Sequence, residues 1–205
     1  MNHEFEVVSS KDIHIGRVVG VRLDEVTMPG GTTAKREVVE HLGAVVVVAL
    51  DDDGQVVLIY QYRHPLRHRL WELPAGLLDV AGEDPREAAA RELLEEVGLA
   101  ADSWSVLVEV AASPGFTDEV ARVYLARGLR DVERDVPQGD EEADLTVKRV
   151  PLAEAVAMVM RGEIVNSSTV AGIFAAHLVE TGQATARPVD APWPDRPTAF
   201  AQRKK

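Results

Sequence analysis

The clearest chemical pattern in this chain is a group of three glutamates near the middle of the sequence. Glu92 and Glu96 are four residues apart and Glu95 lies between them, in a segment that reads Arg-Glu-Leu-Leu-Glu-Glu-Val-Gly-Leu from residue 91 to residue 99. On an α-helix these spacings put the three carboxylates on one face, where they repel one another. A hard divalent cation is bound by such grouped carboxylate oxygens. The pattern therefore predicts a metal-binding helix.

An ordinary alternative exists for the same glutamates. They would be solvated surface acids of an acidic protein, partly compensated by Arg91, which precedes Glu95 by four residues. Runs of charge are usually solvated faces. The helix pattern alone leaves both interpretations open, and the residues around it have to decide between them.

The flanking residues predict where this helix begins and ends. Asp84 is a suitable N-cap, Pro85 suits the first helical position, and Gly98 suits the position after the last turn. The residues between them are rich in Ala, Leu, Glu and Arg, which favour helix. We therefore predict a helix over residues 85–97.

The segment from Gly76 to Leu99 resembles the Nudix box, a loop-helix-loop motif. The matching residues are Gly76, Glu83, Arg91, Glu92, Leu93, Glu95, Glu96, Gly98 and Leu99. One departure is that six residues rather than five separate Gly76 from Glu83, and the additional residue falls in the loop around Val80 to Gly82. The spacing from Glu83 to Arg91 agrees with the motif, so the helical positions keep their register.

The resemblance implies a role for each matching position. Glu92 and Glu96 would be metal ligands, Glu95 a further or outer ligand, and the Ala75 carbonyl a main-chain ligand. The supporting residues would be Gly76, Glu83 and Arg91, with Arg91 orienting the glutamates. The expected cofactor is Mg²⁺, with Mn²⁺ as a substitute, acting on a diphosphate. The chain has neither a G-x-S-x-G elbow nor a Walker A loop, which argues against a serine hydrolase and a P-loop NTPase.

Other segments are similar to those of the bacterial ADP-ribose pyrophosphatases. The turn Ser113-Pro114-Gly115-Phe116-Thr117 lies beyond the box, and we expect Gly115, Phe116 and Glu119 to contact substrate, Phe116 by packing on a ring. A plain hairpin connection is the alternative for this turn. Arg36 and Glu37 resemble a substrate-contacting pair, although an edge-strand ion pair would have the same sequence.

Upstream of the box, Tyr60-Gln61-Tyr62-Arg63 and Trp71-Glu72-Leu73-Pro74-Ala75-Gly76 also resemble that subgroup. We expect Arg63 to bind the diphosphate, because a guanidinium offers paired donors to phosphate oxygens. A surface salt bridge is the alternative for Arg63, and a core position is the alternative for Trp71. His64 and His68 have no matching role, and we assign them no chemistry.

A general base is expected on the acidic loop of residues 139–144. In the resembled enzymes a loop glutamate accepts the proton of the attacking water, and Glu141, three residues before Asp144, fits that register best. Glu142 is the second choice. The alternative is a solvated acidic turn.

The order of elements indicates an α+β protein, a mixed α/β/α sandwich of Nudix type with a small N-terminal antiparallel β-sheet. Residues 1–41 are predicted to form that β-subdomain and to dimerise, 42–182 the Nudix hydrolase domain, and 183–205 a tail. Strands over residues 44–50 and 55–62 are predicted to form a hairpin, and helices are predicted over residues 152–161 and 168–181.

Composition limits the partners. A net charge of −12 argues against a nucleic-acid binder, and there is no cysteine for a thiolate site or disulfide. The longest apolar run, residues 44–50, is too short to cross a membrane, so we expect a cytoplasmic protein. A homodimer is expected from the resemblance.

The function these patterns favour is Mg²⁺-dependent hydrolysis of ADP-ribose to AMP and ribose 5-phosphate. A second hypothesis keeps the mechanism and changes the substrate to another nucleotide sugar or a dinucleotide. A third is a Nudix-fold sensor that binds its ligand without cleaving it. Retention of Glu92, Glu95 and Glu96 argues against the sensor.

Overall fold

The structure is a computed structural model that describes residues 3–133 and 144–203. The chain divides into two compact units. The described part of the first unit comprises residues 3–43, 111–120 and 195–203. The second unit comprises residues 44–110 and the described part of 121–194. Each unit therefore combines segments that are distant in sequence.

The first unit contains the predicted N-terminal sheet. Its three strands are antiparallel in the order β1-β2-β3, with β1 (Val7–Ile15), β2 (Val19–Thr27) and β3 (Thr33–His41). A turn after Met28 joins β2 to β3, and Gly30 and Gly31 supply its positive φ angles of 94° and 81°. A short helix near the C-terminus, α4 (Ala199–Arg203), places the buried Phe200 ring against Gly20 of β2.

The second unit contains two sheets and three helices. The four-stranded sheet has the order β7-β4-β9-β8, and the three-stranded sheet has the order β10-β5-β6. The strands are β4 (Ala44–Ala49), β5 (Gln55–Arg63), β6 (His68–Glu72), β7 (Ala75–Leu77), β8 (Leu99–Ala111), β9 (Val120–Asp131) and β10 (Thr146–Pro151). The helices are α1 (Pro85–Val97), α2 (Leu152–Met160) and α3 (Ser167–Glu180).

Strand β4 is buried on both faces, and this arrangement produces the layers. Val45 and Val47 pack in one hydrophobic cluster with Leu93 of α1, whereas Val46 and Val48 pack in another that includes residues of α2 and α3. A strand covered on both sides is an uninterrupted apolar run rather than an alternating one, as the sequence Ala-Val-Val-Val-Val-Ala shows. The predicted mixed α/β/α sandwich is confirmed.

The predicted helices are confirmed, and the bounds of α1 agree with the sequence prediction at both ends.

The predicted hairpin of β4 and β5 is wrong, because the two strands belong to different sheets and share only an isolated bridge between Leu50 and Val56. Both edges of β4 are taken: it pairs antiparallel with β7 and parallel with β9. Sequence patterns identified the strands but not this competition for partners.

No helix within residues 3–133 or 144–203 is long and apolar enough to span a membrane.

Candidate active site

The acidic helix α1 is fixed at both ends by its own caps. The Asp84 carboxylate accepts a hydrogen bond from the Arg86 amide at 2.9 Å, and Pro85 occupies the first turn. At the other end Gly98 adopts the left-handed conformation with φ of 66°, and its amide donates to the Leu94 carbonyl at 2.9 Å. These caps fix where the helix that carries the three glutamates begins and ends.

Glu96 lies on the buried side of α1 rather than on its solvent side. It shares that side with Ala89 and Leu93, and only 7% of the residue is exposed. The amide of Ala75 donates to Glu96 Oε2 at 2.9 Å. A buried carboxylate is costly unless hydrogen-bonded or paired with a cation, and this bond ties Glu96 to the start of β7.

Glu92 is pressed against the backbone at Gly76. A Cβ atom added to Gly76 would stand 1.9 Å from Glu92 Cδ, so no side chain fits there while Glu92 keeps its position. The box glycine is thus required by close approach of a carboxylate to β7, and not by a positive φ angle.

Arg91 connects the glutamates to the loop before the helix. Its Nε and Nη2 atoms donate to the two oxygens of Glu83 at 3.0 and 3.1 Å, a paired contact. Its Nη1 atom donates to Glu92 at 2.7 Å and to Glu95 at 3.0 Å. The structure therefore joins Glu83, Arg91, Glu92 and Glu95 in one hydrogen-bonded network.

Burial raises the pKa of Glu92 to about 7. The charge and hydrogen bond of Arg91 lower this pKa, while Glu95 and Asp79 raise it further, and the effect of burial is the largest. The pKa of Arg91 is raised in turn, chiefly by its hydrogen bond to Glu83. The positive charge of one guanidinium therefore does not fully balance the negative charge of the carboxylates around it.

These residues have the donor chemistry that a hard divalent cation requires. The side chains supply carboxylate oxygens, and Glu92 is ionised at neutral pH only against the cost of its burial. Within the described ranges, no three His, Asp or Glu side chains are grouped so that they could hold a metal ion in their present positions. Glu92 and Glu95 instead bond Arg91, and Glu96 bonds the Ala75 amide.

Arg63 lies at the end of β5 and is held by Glu72 of β6. Its Nε and Nη2 atoms donate to the two carboxylate oxygens of Glu72 at 2.9 and 2.6 Å. Trp71, the neighbour of Glu72, packs partly buried against the core and stacks at 4.7 Å on Tyr60.

The second group of predicted residues lies in the first unit. Glu37 and Phe116 line a cavity of about 370 Å³ whose other lining residues are mostly apolar, namely Ile13, Val21, Arg22, Leu23 and Val39. The Pro-Gly turn that carries Phe116 is bonded to β3, because the Val39 amide donates to the Phe116 carbonyl at 2.7 Å. This turn is therefore anchored to β3.

Arg36 does not share that cavity. Adjacent residues of a strand point to opposite faces, and Arg36 donates to the Lys35 carbonyl at 2.9 Å and contacts the Met28 sulfur at 3.7 Å. Gly115 is exposed, and a Cβ added to it would meet nothing within 4 Å. Glu119 is half-buried, and its carbonyl accepts from the Ala112 amide at 3.1 Å. Substrate contact by these residues stays a prediction.

The two candidates for the general base, Glu141 and Glu142, lie outside the described residues. Their role also stays a prediction.

Sequence reasoning assigned no role to Glu72 or Thr169, yet both are buried and bonded at the segment that leads into the box. The Leu73 amide donates to Thr169 Oγ1 at 3.1 Å. The sequence did indicate that Glu72 is buried. Side chains two residues apart in a strand point to the same face, so Glu72 shares a face of β6 with the buried Leu70. An acid on that face requires a partner.

Comparison with known proteins agrees with this geometry. The family model described as the NUDIX domain matches residues 39–169. An ADP-ribose pyrophosphatase of Mycobacterium tuberculosis is 58% identical over 203 residues, covering 98% of this chain and 97% of the relative. An ADP-ribose pyrophosphatase of Bacillus subtilis is 35% identical over 181 residues, covering 88% of this chain and 97% of the relative.

A solved structure described as an ADP compounds hydrolase superposes with a TM-score of 0.75, covering 89% of this chain and 98% of that one. At 22% identity this match shows a shared fold. The family model and the two relatives go further: the chain belongs to the NUDIX domain family.

Replacing Glu92 by Gln tests the electrostatic cost of this site. The folded pKa of Glu92 lies above its ordinary value of 4.5, so the cost appears as pH rises from about 4.5 and is complete above about 7. We expect metal-free Glu92→Gln to be more stable than the wild type near pH 8, by roughly 1–3 kcal/mol. The difference should disappear below about pH 4.5.

Denaturant unfolding near pH 8 and below pH 4.5 measures the free energy of unfolding of both proteins. Glu95→Gln is the control, and we expect it to change this free energy less, because 43% of the Glu95 side chain is exposed. Glu92→Gln and Glu96→Gln should also strongly reduce turnover. A Glu92→Gln protein that is less stable than the wild type near pH 8, or that keeps full turnover at limiting Mg²⁺, would contradict the assignment.

Proposed function

We propose that the protein hydrolyses the diphosphate bond of ADP-ribose, giving AMP and ribose 5-phosphate, with Mg²⁺ as its cofactor and Mn²⁺ as a substitute. The observation that carries this proposal is the acidic group of the box, in which Arg91 bonds Glu92 and Glu95, Glu92 packs against Gly76, and the Ala75 amide bonds Glu96. The names of the two relatives support the choice of ADP-ribose.

Glu92, Glu95, Glu96 and the Ala75 carbonyl are the groups we propose as ligands of the cation. The chemistry that Mg²⁺ supplies at such a site is neutralisation of diphosphate charge and activation of a water molecule. Arg91 competes for the same carboxylates, so its present bonds to Glu92 and Glu95 keep them together when no cation balances their charge. Its paired contact with Glu83 keeps the guanidinium beside them.

The chain's own positive charge is also needed to bind an anionic substrate. The net charge of −12 opposes the approach of a diphosphate, so local cationic groups must reverse the sign of the field. Arg63 is the group we propose for this, since its side chain is 41% exposed although its partner is buried. We further propose that Glu37 and Phe116 contact the nucleoside part, because Phe116 brings an exposed ring to a cavity with one nearby carboxylate.

The second candidate substrate class, another nucleotide sugar or a dinucleotide, keeps the same acidic network and differs only in the groups attached to the diphosphate. A substrate panel separates the two. We expect the pure protein with Mg²⁺ to cleave ADP-ribose faster than ADP-glucose, diadenosine polyphosphates or NADH, with AMP and ribose 5-phosphate as products. Faster cleavage of another member would reassign the substrate, and binding without cleavage of any would favour a sensor.

We propose Glu141 as the general base and Glu142 as the second choice, on the resemblance described above. Glu141→Gln should lower kcat by roughly two to four orders of magnitude with little change in substrate affinity, the range expected when general base catalysis is lost. Glu142→Gln should do less. Full activity in Glu141→Gln combined with loss in Glu142→Gln or Glu119→Gln would move the role to that residue.

We also propose that the protein is a homodimer in which the N-terminal sheet, over residues 13–40, packs against or exchanges with the partner and places Arg36 near a shared substrate site. Strand β1 lies at the edge of its sheet, and all nine of its residues are exposed. They include the apolar residues Val7, Val8, Ile13 and Ile15. An exposed apolar edge strand offers unpaired backbone groups and apolar side chains with which another chain can pair. Sedimentation should show a dimer at micromolar concentration, and a fully active monomer would refute the proposal.

A further inference from the structure

The pair formed by Arg63 and Glu72 joins an exposed cation to a buried anion. Only 2% of the Glu72 side chain is exposed, against 41% of the Arg63 side chain. Both carboxylate oxygens accept from the same guanidinium, at 2.9 and 2.6 Å, and Gln61 donates to one of them at 3.3 Å. This two-point contact fixes the plane of the guanidinium as well as its distance.

Stability alone is a weak reason for this pair. Burying a carboxylate costs several kcal/mol of solvation, and a buried ion pair often stabilises a fold no better than apolar residues of similar size. Glu72 follows the buried Leu70 by two residues on β6, so it occupies a buried position of that strand. The contact does achieve one thing that an apolar residue would not, namely a fixed orientation for Arg63.

Glu72 is also connected to the acidic site through three consecutive residues. The Leu73 amide donates to Thr169 Oγ1 at 3.1 Å, and the Pro74 carbonyl accepts from the Val47 amide at 2.8 Å. The Ala75 amide donates to Glu96 at 2.9 Å. Residues 73–75 are therefore each held by a hydrogen bond, and the stretch of backbone that follows Glu72 also bonds Glu96 of α1.

The geometry points to Glu72 as a positioning residue, which holds the Arg63 guanidinium in the orientation that binds the diphosphate of the substrate. This inference rests on the proposed function. A free arginine side chain loses much of its rotamer entropy when it is immobilised. A guanidinium held in place by Glu72 before binding does not pay that cost again when the substrate arrives.

The test compares Glu72→Gln, Arg63→Gln and the double variant with the wild type in ADP-ribose hydrolysis. We expect Glu72→Gln to raise KM by about tenfold, because Arg63 must then be immobilised when the substrate binds, and to leave kcat within about threefold, because Glu72 does not touch the reacting atoms. The double variant should have the KM of Arg63→Gln, because Glu72 acts only through Arg63. An unchanged KM in Glu72→Gln, or effects that multiply in the double variant, would overturn the inference.

Glu109→Gln is the matched control. Glu109 bonds Arg122 at 2.8 Å and Arg187 at 2.5 Å, and neither its position nor its partners belong to the proposed machinery. This variant should lower the midpoint of thermal unfolding at least as much as Glu72→Gln while keeping the wild-type KM. A KM raised equally in Glu109→Gln would mean that general destabilisation explains both effects, and would also overturn the inference.

Two further results keep the outcomes separate. If Glu72→Gln does not fold, Glu72→Asp replaces it: the shorter acid keeps the charge and loses the two-point contact, so its KM should still rise, and a wild-type KM would refute the positioning role. A wild-type protein that does not cleave ADP-ribose would refute the proposed function without any variant. An active wild type beside a Glu72→Gln protein of normal KM would refute only the role of Glu72.

Discussion

The site depends on how tightly the five residues from Glu72 to Gly76 are held. Their backbone and side chains bond β5 through Arg63, α3 through Thr169, β4 through Val47 and α1 through Glu96. Gly76 then brings the backbone so close to Glu92 that no Cβ fits between them. A segment tied to four elements within five residues has little freedom to shift. The groups attached to it therefore keep their relative positions, as catalysis by positioning requires.

The electrostatics of the acidic helix follow from that constraint. Because Glu96 is buried by packing and Glu92 by its contact with β7, both carboxylates lose solvation, and burial raises the pKa of Glu92 to about 7. Arg91 and its contact with Glu83 offset part of this cost. The fold thus keeps a region of concentrated negative charge that a divalent cation would stabilise, at the expense of the stability of the metal-free protein.

The parts of the fold that the sequence predicted are those governed by local interactions. The bounds of α1 follow from Asp84, Pro85 and Gly98, whose capping preferences act within one turn. The pairing of β4 was not predictable in the same way, since its choice of β7 and β9 over β5 depends on residues far away in sequence. The pattern of apolar residues in a strand indicates which of its faces are buried, but it does not indicate which other strands pair with it.

The candidate site shows the same division. Spacing alone placed Glu92, Glu95 and Glu96 on one helix, and the structure adds that Glu96 faces inward and bonds Ala75. The adjacent Arg36 and Glu37 were predicted as one substrate-contacting pair, but the alternation of β3 separates their side chains. The partnership of Arg63 with Glu72 joins two strands and is visible only once β5 and β6 are paired.

The most direct measurement of whether the approach of Glu92 to Gly76 organises the site is the Mg²⁺ dependence of hydrolysis by Gly76→Ala. The added methyl group cannot coexist with Glu92 in its present position, so it must displace that carboxylate or β7. We expect the Mg²⁺ concentration for half-maximal activity to rise by about tenfold or more, as for loss of roughly 1.4 kcal/mol of binding free energy. Gly82→Ala, where the new methyl meets nothing within 4 Å but the φ angle of 80° is strained, should lose stability and keep the normal Mg²⁺ dependence. An unchanged Mg²⁺ dependence in Gly76→Ala would contradict the account.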